Sequence, residues 1–542
     1  MTPMPRPPAP GTSYLARVPL TRRTLLTASA GSAAGAALAL AACSPGPAGP
    51  SGSTAPAHGG PADGPPRPGG RLRALFAGGG ANETLDPHRV NLFADAARAK
   101  SLFDKLADCG PDLAAVPRLA AGWEPGPGLD VWTVRLREAV FHDGRPVTAA
   151  DVLHSYRRIA DPARAFRARA SLEPIDLTAS RALDPRTVEF RLRRPCAEFP
   201  NVLAAFGAYI VPDGTEEFHA PVGSGPFAFV SFKPGSSLLL RRFDGHWDGA
   251  PHLDELEILA AAEESARANA LLAGQAEYAH ELTPATARAH ESGGRIGIVR
   301  LRNSAMQGFV MKTDRPPFDD ARVRRAFFHL VDRQELVDGA LSGAGEIGND
   351  LFGKGSQYYP AGLPQRAQDL DRARALLREA GAEGLRVTLD TSPVAAGLVE
   401  AAGILKEQAA KAGVTVEVRV GNKDTYWKDI LDGGVLASFR SGAMPIESHL
   451  SQRLLSTSTT NATHWRHPDF DDLYGQAQST ADPVARTALY ERMQRRLYEE
   501  GGLLVWGFAD WIVGTAPRLR GVAADAPANT LDWARFDKVW LA

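Results

Sequence analysis

The chain has 542 residues, which at roughly 100–200 residues per domain makes more than one domain. It is 44% hydrophobic and 23% charged, proportions of a globular chain that exclude general disorder and a polytopic membrane protein. Lys+Arg totals 61 against 62 for Asp+Glu, a formal net charge of -1, and this gives no global electrostatic case for nucleic acid. Only ten of the basic residues are Lys, leaving 51 Arg; with Ala, Gly and Pro also abundant, this Arg bias reads as codon composition before it reads as anion recognition. Three cysteines exclude a disulfide scaffold and any four-Cys metal centre.

In chain order, Arg6, Arg17, Arg22 and Arg23 precede an uncharged stretch, Leu25 to Ala42, and no Asp or Glu comes before Asp63. A basic region followed by an apolar one is a secretory signal. Thr21-Arg22-Arg23-Thr24-Leu25-Leu26 resembles a twin-arginine export signal, and Gly31, Gly35 and many Ala keep the apolar stretch weakly hydrophobic. Leu40-Ala41-Ala42-Cys43 resembles a bacterial lipobox, which implies cleavage before Cys43 and lipid on its sulfur. The expectation is a signal over residues 1–42, then an acyl anchor and a Pro/Gly/Ser-rich linker over 43–70. With Cys43 lipidated, Cys109 and Cys196 remain; they could form a disulfide or stay as two separate thiols.

From Arg71 onward strand and helix signals alternate without a further linker. Trp132, Val134 and Leu136 alternate with polar neighbours and lead through Val140-Phe141 into a His142-Asp143-Gly144 turn, a hairpin-like segment. Thr148-Ala149-Ala150-Asp151 predicts a capping box opening a helix over Ala149 to Ile159. Val323, Ala326, Phe327 and Leu330 have helical spacing, opened by Asp319 or Asp320, and a second helix starts at Asp332. Asp371 to Ala380 is a short helix stopped by Gly381. Leu385-Val387-Leu389 and Val414-Val416-Val418 predict strands flanking a helix from Ala395 to Ala412. Asp482-Pro483 opens a helix that Gly501-Gly502 ends. The alternation predicts an α/β domain.

Several blocks in this order resemble the large solute-binding proteins of peptide-type ABC transporters, the family that binds oligopeptides, dipeptides, nickel chelates and some oligosaccharides. They are Leu85-Asp86-Pro87-His88, Leu119-Ala120-Ala121-Gly122-Trp123, and the run from Phe141-His142-Asp143-Gly144 to Asp151-Val152. Val222-Gly223-Ser224-Gly225-Pro226-Phe227, Arg242-Phe243-Asp244-Gly245-His246-Trp247 and Pro316-Pro317-Phe318-Asp319-Asp320 follow. Asn461, Phe470-Asp471, Arg486, Leu489 and Tyr490 close the series. The resemblance implies an α/β, two-lobe hinged fold of the periplasmic-binding-protein type, with an extra subdomain on the first lobe. Its expected division is lobe I at 71–103, 219–299 and 510–542, the extra subdomain at 104–218, and lobe II at 300–509. The Gly223-Ser224-Gly225-Pro226 turn is expected to need positive φ or close backbone approach.

The resemblance also implies where solute sits and which partners act with it. Peptide-binding relatives carry an Asp that pairs with the peptide amino group; the matching segment here, Phe439-Arg440-Ser441-Gly442-Ala443-Met444-Pro445-Ile446-Glu447-Ser448, has none, and Glu447 stands a few residues late. Unmodified di- and tripeptides are therefore expected to bind weakly. Arg440 is the candidate for an anionic ligand group, with Tyr426 or Trp427 as an aromatic wall and Met444, Asn303, Tyr156, His88 and Ser224 as further candidates. The expected partners are a small solute (peptide, modified peptide, chelate or oligosaccharide), a membrane permease, and the membrane through Cys43. No cofactor, metal or nucleic acid is expected, and the protein is expected to be a monomer on the outer face of the cell membrane or in the periplasm.

Gly343-Ala344-Gly345-Glu346-Ile347-Gly348 fits G-x-G-x-x-G but follows a helical pattern and opens no helix, so it reads as a loop. H-E-x-x-H, G-x-S-x-G and Walker A sequences do not occur. His464 and His467 lack a third nearby ligand. The readings are a transport receptor, a lipoprotein presenting ligand to a membrane sensor, and an exported hydrolase, the last disfavoured by the missing catalytic motif.

Overall fold

A computed structural model describes residues 65–542 apart from 79, 81, 82, 91, 424 and 523–533. Cys43, the signal-like segment and most of the linker lie outside the described residues. The helix-start signals act as read. Asp320 caps the helix Ala321–Leu330 through the Arg322 N–H, and Asp332 caps Arg333–Ala340 through the N–H groups of Gln334 and Glu335. Asp482 caps Pro483–Glu500. Each cap takes up amide donors that the first helical turn leaves unpaired. The helix Ala149–Ala160 opens on the expected capping box, with the Thr148 N–H donating to Asp151 Oδ2 at 2.7 Å.

The strand Val131–Leu136 pairs with Ala120–Pro125 and Thr187–Leu192. After it the 142–144 turn is hairpin-like as read, with Val140 bridging Pro146 antiparallel and the Phe141 N–H donating to Arg145 O at 2.8 Å. One expectation changes: within 343–348, Gly345–Ile347 is a short strand on the edge of Leu503–Thr515.

One eleven-stranded sheet forms the frame. Its centre is a long antiparallel pair, Gly297–Met311 and Leu503–Thr515. On one side lie Tyr278–Ala279, Arg71–Phe76, Glu255–Ala260, Ser237–Arg242 and Phe227–Lys233; on the other, Leu436–Gly442, Arg386–Thr391 and Thr415–Val420. The central pair breaks register between Leu301 and Ala305, where Asn303 takes φ 54°. Two α/β lobes therefore share two continuous strands, and the register break lies where those strands pass from one lobe to the other.

The cores follow this division. One cluster gathers Leu72, Phe76, Leu102, Leu256, Tyr278, Trp511 and Phe536 around the first half of the sheet. A separate four-stranded sheet carries its own core of Trp132, Val134, Tyr156, Phe190 and Phe199. The second half of the large sheet is covered on both faces, by clusters around Phe309, Phe327 and Leu405 and around Tyr426, Trp465 and Tyr490. Strands buried on both faces read as continuous apolar runs, as Leu504-Val505-Trp506 does.

The small four-stranded unit touches both lobes. Toward lobe I, the His142 N–H donates to Gly223 O at 2.8 Å, and within lobe I Gly223 and Gly225 pass so close to the backbone of Leu102 and Phe103 that an added Cβ would lie 1.8 Å from Leu102 O and 2.6 Å from Leu102 C respectively. Close approach, and not positive φ, is what these glycines supply. Toward lobe II, the Tyr358 hydroxyl donates to Glu198 at 2.6 Å, Arg486 pairs with Glu198 at 2.9 Å, and the Ala197 N–H donates to Gln478 O at 2.8 Å. Cys109 and Cys196 are not joined to each other by a disulfide. Among the described residues no helix is long and apolar enough to cross a membrane.

Candidate functional site

The crossing strands bring lobe I and lobe II residues together around Trp511. Strand Leu503–Thr515 carries this ring, and strand Leu436–Gly442 carries Arg440, whose guanidinium lies over it at 5.1 Å from the ring centroid. From lobe I, the end of Tyr278–Ala279 places His280 at 5.3 Å from the same ring, and Phe93 at 4.5 Å. His280 is fully buried, and burial holds its pKa well below the ordinary value, so it is a neutral ring. Next to it Glu281 turns with φ 56°, its carbonyl held by Arg267 at 2.9 Å.

Arg440 and Glu281 are the two charges of this place, one from each lobe. Among the described residues neither side chain is in an ion pair or a hydrogen bond, yet each feels the other. Burial lowers the pKa of Arg440, against the pull of Glu281. Burial raises that of Glu281, against Arg440 and Arg267. Arg267 is committed elsewhere, to the carbonyls of Ala261, Ala262, His280 and Glu281.

Polar atoms without a partner gather here too. Gln307, directly across the strand pair from Arg440, has an unpaired Oε1; the Trp511 indole N–H and Asn303 Oδ1 are likewise unpaired. Buried polar groups are almost always hydrogen-bonded, and these three atoms are exceptions. A third guanidinium, Arg453, stacks on Phe439 at 5.5 Å and leaves its Nε buried without a partner.

The sequence-chosen residues divide. Arg440 and Asn303 lie at this place. Trp427 is 38% exposed, with its ring edge-on to Phe439 at 6.2 Å. Met444 is half-buried in the segment leaving strand Leu436–Gly442. Tyr426 points inward: its hydroxyl donates to the carbonyls of Ser438 at 2.6 Å and Asp390 at 3.0 Å, and its ring belongs to the lobe II core.

Tyr156 is enclosed in the core of the extra subdomain, and the Ser224 hydroxyl donates to Asp104 at 3.2 Å where that subdomain joins lobe I. The His88 Nε2–H donates to Tyr209 O at 2.9 Å while Nδ1 accepts from Arg158 at 2.7 Å; burial pushes its pKa down to about 4. All three side chains are buried; the contacts of Ser224 and His88 end on the protein, and the Tyr156 hydroxyl has no hydrogen-bond partner among the described residues. Glu447 is no free anchor either: its carboxylate accepts from the hydroxyls of Tyr474 at 2.6 Å and Ser448 at 3.0 Å.

His464 is held by Asp314 and the Leu431 carbonyl, each at 2.7 Å, and among the described residues no group of three His, Cys, Asp or Glu side chains could hold a metal ion. A cavity of about 1270 Å³ lies on lobe I and the subdomain, lined by His88, Arg158, Phe166, Arg167 and Phe218 among others. None of its lining residues belongs to lobe II, so it does not coincide with the place where Arg440 and Glu281 meet.

Sequence reading missed Glu281, Trp511 and Gln307. Glu281 had one signal, an acidic residue between a short apolar strand and a Thr-Pro helix start. Trp511 and Gln307 had none, since an aromatic or an amide inside a strand is ordinarily core.

Residues 114–462 match the sequence model of the bacterial extracellular solute-binding proteins, family 5 Middle. The glutathione-binding protein GsiB of Shigella dysenteriae serotype 1 is 27% identical over 441 residues, covering 77% of this chain and 85% of its own. Among solved structures, the ABC transporter substrate-binding protein CtaP of Listeria monocytogenes superposes with a TM-score of 0.78 at 22% identity, over 88% of this chain and 100% of that one. The periplasmic binding protein DppA of Helicobacter pylori, solved with the peptide STSA, superposes with a TM-score of 0.73 at 22% identity, over 88% of this chain and 98% of that one. At these identities the two structures speak for the fold.

Proposed function

The chain belongs to the bacterial extracellular solute-binding proteins of family 5, and from that premise we propose how it does the family's work. It is a solute-binding protein of an ABC transporter, taking peptides or similar solutes to a membrane permease. Solute is captured between lobe I (71–103, 219–299 and 510–542) and lobe II (300–509), with the subdomain (104–218) fixed to lobe I. The two crossing strands bend at the register break near Asn303. Arg440 receives an anionic or hydrogen-bonding end of the solute, Trp511 backs its guanidinium, and Trp427 offers a ring to an apolar portion. The observation that carries this reading is the Arg440 guanidinium, half-buried over Trp511 with no carboxylate within ion-pair distance.

Binding without chemistry is the reading that the family's solute-binding role supports. GsiB's name makes glutathione one peptide to try. Outside the described residues, the twin-arginine-like segment and Leu40-Ala41-Ala42-Cys43 support export and a lipid anchor at Cys43.

Small-angle scattering with a saturating cognate solute tests the capture: the radius of gyration should fall as the lobes close, and an unchanged profile overturns the hinged receptor. For the anchor, Cys43→Ser should move the protein from the membrane to the soluble fraction. Retention at the parent level overturns that assignment.

A further inference from the structure

The subdomain is fastened to lobe I and also reaches lobe II. Its hold on lobe I is a set of charged and polar contacts, Asp108 with Lys100, Arg118 with Asp248 and Asp104 with Ser224. Two other segments of it meet lobe II. In the turn between Ala107–Cys109 and Ala115–Pro117, Asp112 O accepts from the Gln357 N–H at 3.1 Å. After the strand Thr187–Leu192, the Ala197 N–H donates to Gln478 O at 2.8 Å, and Glu198 follows, only 7% exposed. A lobe II that swings on the crossing strands must part from the subdomain along this seam.

Glu198 is the charge of the seam. Its Oε1 accepts from the Tyr358 hydroxyl at 2.6 Å, and Arg486 Nε lies 2.9 Å from the same oxygen. Its Oε2 accepts from the Asn201 amide at 3.0 Å, so the subdomain itself orients the carboxylate. Lobe II holds both donors in place without help from Glu198. The Tyr358 ring stacks on Tyr490 at 4.5 Å, and Arg486 Nη1 donates to Thr480 O at 2.8 Å and Ala481 O at 3.1 Å. Hydrogen bonds to an ionised acceptor are about twice as strong as neutral ones. A carboxylate on one body thus meets a preset hydroxyl and guanidinium on the other, whereas Glu281 and Arg440 inside the cleft are not in contact.

We infer that Glu198 is a closure latch: it joins the subdomain to Tyr358 and Arg486 of lobe II when the lobes close, and it releases them when the lobes open. The inference rests on the capture reading, in which the subdomain moves with lobe I. Glu198 is a positioning residue, since its carboxylate is taken up by protein donors and acts on solute only through closure. Contacts of protein with protein favour the closed form before any solute is bound. Solute then meets a population already partly closed, and the latch raises affinity by one common factor whatever fills the cleft. Selectivity is left to the residues of the cleft.

Amide hydrogen exchange and small-angle scattering of the full chain without solute test it. Glu198→Gln removes the charge, and Tyr358→Phe removes one hydroxyl while keeping a ring to stack on Tyr490. In both variants the Ala197 and Gln357 amides should exchange about tenfold faster or more, the scale of one hydrogen bond to a charged group. The radius of gyration should rise, while amides of the subdomain strand Val131–Leu136 keep their parent rates. Should Glu198→Gln fail to fold, Tyr358→Phe decides alone. Parent rates at Ala197 and Gln357, or an unchanged radius of gyration, overturn the latch. Equal acceleration in Val131–Leu136 also overturns it, because Glu198 would then be holding the subdomain together and not closing the lobes. The two readings fail separately: a parent profile that contracts with saturating solute, beside variants that do not expand, removes the latch alone. A profile that changes in neither experiment removes the hinged receptor as well.

Discussion

The joint between lobe I and the subdomain and the cleft between lobe I and lobe II are both rich in arginine, and they use it in opposite ways. In the joint, Asp108 takes Lys100 at 2.9 Å, Arg118 at 3.3 Å and Lys105 at 3.4 Å. Arg118 reaches on to Asp248 at 3.1 Å, which Arg535 and Lys538 share at 2.8 and 3.2 Å. Asp104 accepts from Ser224 and from the Trp247 indole at 3.1 Å. In the cleft Arg440 rests on Trp511, and on lobe II and the subdomain Arg453 and Arg167 rest on Phe439 and Phe206, with no carboxylate in contact. Paired charges lock two bodies together, because breaking one pair strands the other partner. Ring-held charges leave the guanidinium edge free to donate and strand no contacting carboxylate if the bodies separate.

The sharpest way to break this contrast is at the joint. Burial alone would raise the Asp108 carboxyl, but Lys100, Lys105 and Arg118 outweigh it and hold the group well below the usual carboxylate range. Asp108→Asn strands buried cations and should cost about 3–5 kcal/mol in denaturant unfolding. A lowered carboxylate pKa supplies stability that is present above the unfolded group's ordinary range and lost as pH falls through the folded value. The variant should therefore show less acid destabilisation below about pH 4 than the parent. A variant as stable as the parent at pH 7 would show that the joint is not locked by charge.

Next in size is Arg440→Ala. It should lower affinity for a cognate solute about a hundredfold, close to 3 kcal/mol, and change the unfolding midpoint less than Asp108→Asn, since Glu281 is within its field but no carboxylate is in contact with the guanidinium. Tight binding of free tripeptides that the substitution leaves untouched would remove Arg440 from the site. A large loss of stability would instead place it with the arginines of the joint.

The smallest effect belongs to a carboxylate of the crossing strand that follows neither pattern. Burial raises Asp510 to about 6, with Arg300 and Arg302 pulling it back and Glu346 adding to the rise. A carboxylate raised in the folded state binds its proton more tightly there than in the unfolded chain, so stability falls as pH rises from the ordinary carboxylate range through about 6. Asp510→Asn should match the parent at pH 4 and exceed it at pH 7 by about 1 kcal/mol, after allowance for solvent screening. Parallel stability curves across that range would show that the crossing strands carry no titrating strain.

Local signals were legible because their physics is local. Asp320, Asp332 and Asp482 cap helices through amides two or three residues away, and Thr148 and Asp151 close their box within one turn. Gly223 and Gly225 could be singled out as backbone requirements, although the partner backbone at Leu102 could not be named. The order of blocks gave the two-lobe class. The aromatic wall was less legible: Tyr426 and Trp427 are adjacent, yet one is tied to Ser438 and Asp390 and the other is exposed. A helical step of one residue turns a side chain by roughly 100°, and only packing decides which of two neighbours goes inside.

The sequence by itself determined the class and the helix caps, and it singled out Arg440. Tertiary structure alone decided what that arginine faces. Glu281 and Arg440 stand far apart in sequence, on strands whose pairing is set by the long Gly297–Met311 and Leu503–Thr515 crossing. It also decided which arginines are paired. Arg118 and Arg453 are the same residue in composition and charge; one lies within reach of Asp108 and Asp248, the other lies over Phe439 with a second guanidinium nearby. Electrostatic role depends on distances of a few ångströms between segments far apart in the chain, and those distances are fixed only when the sheet closes and the lobes meet.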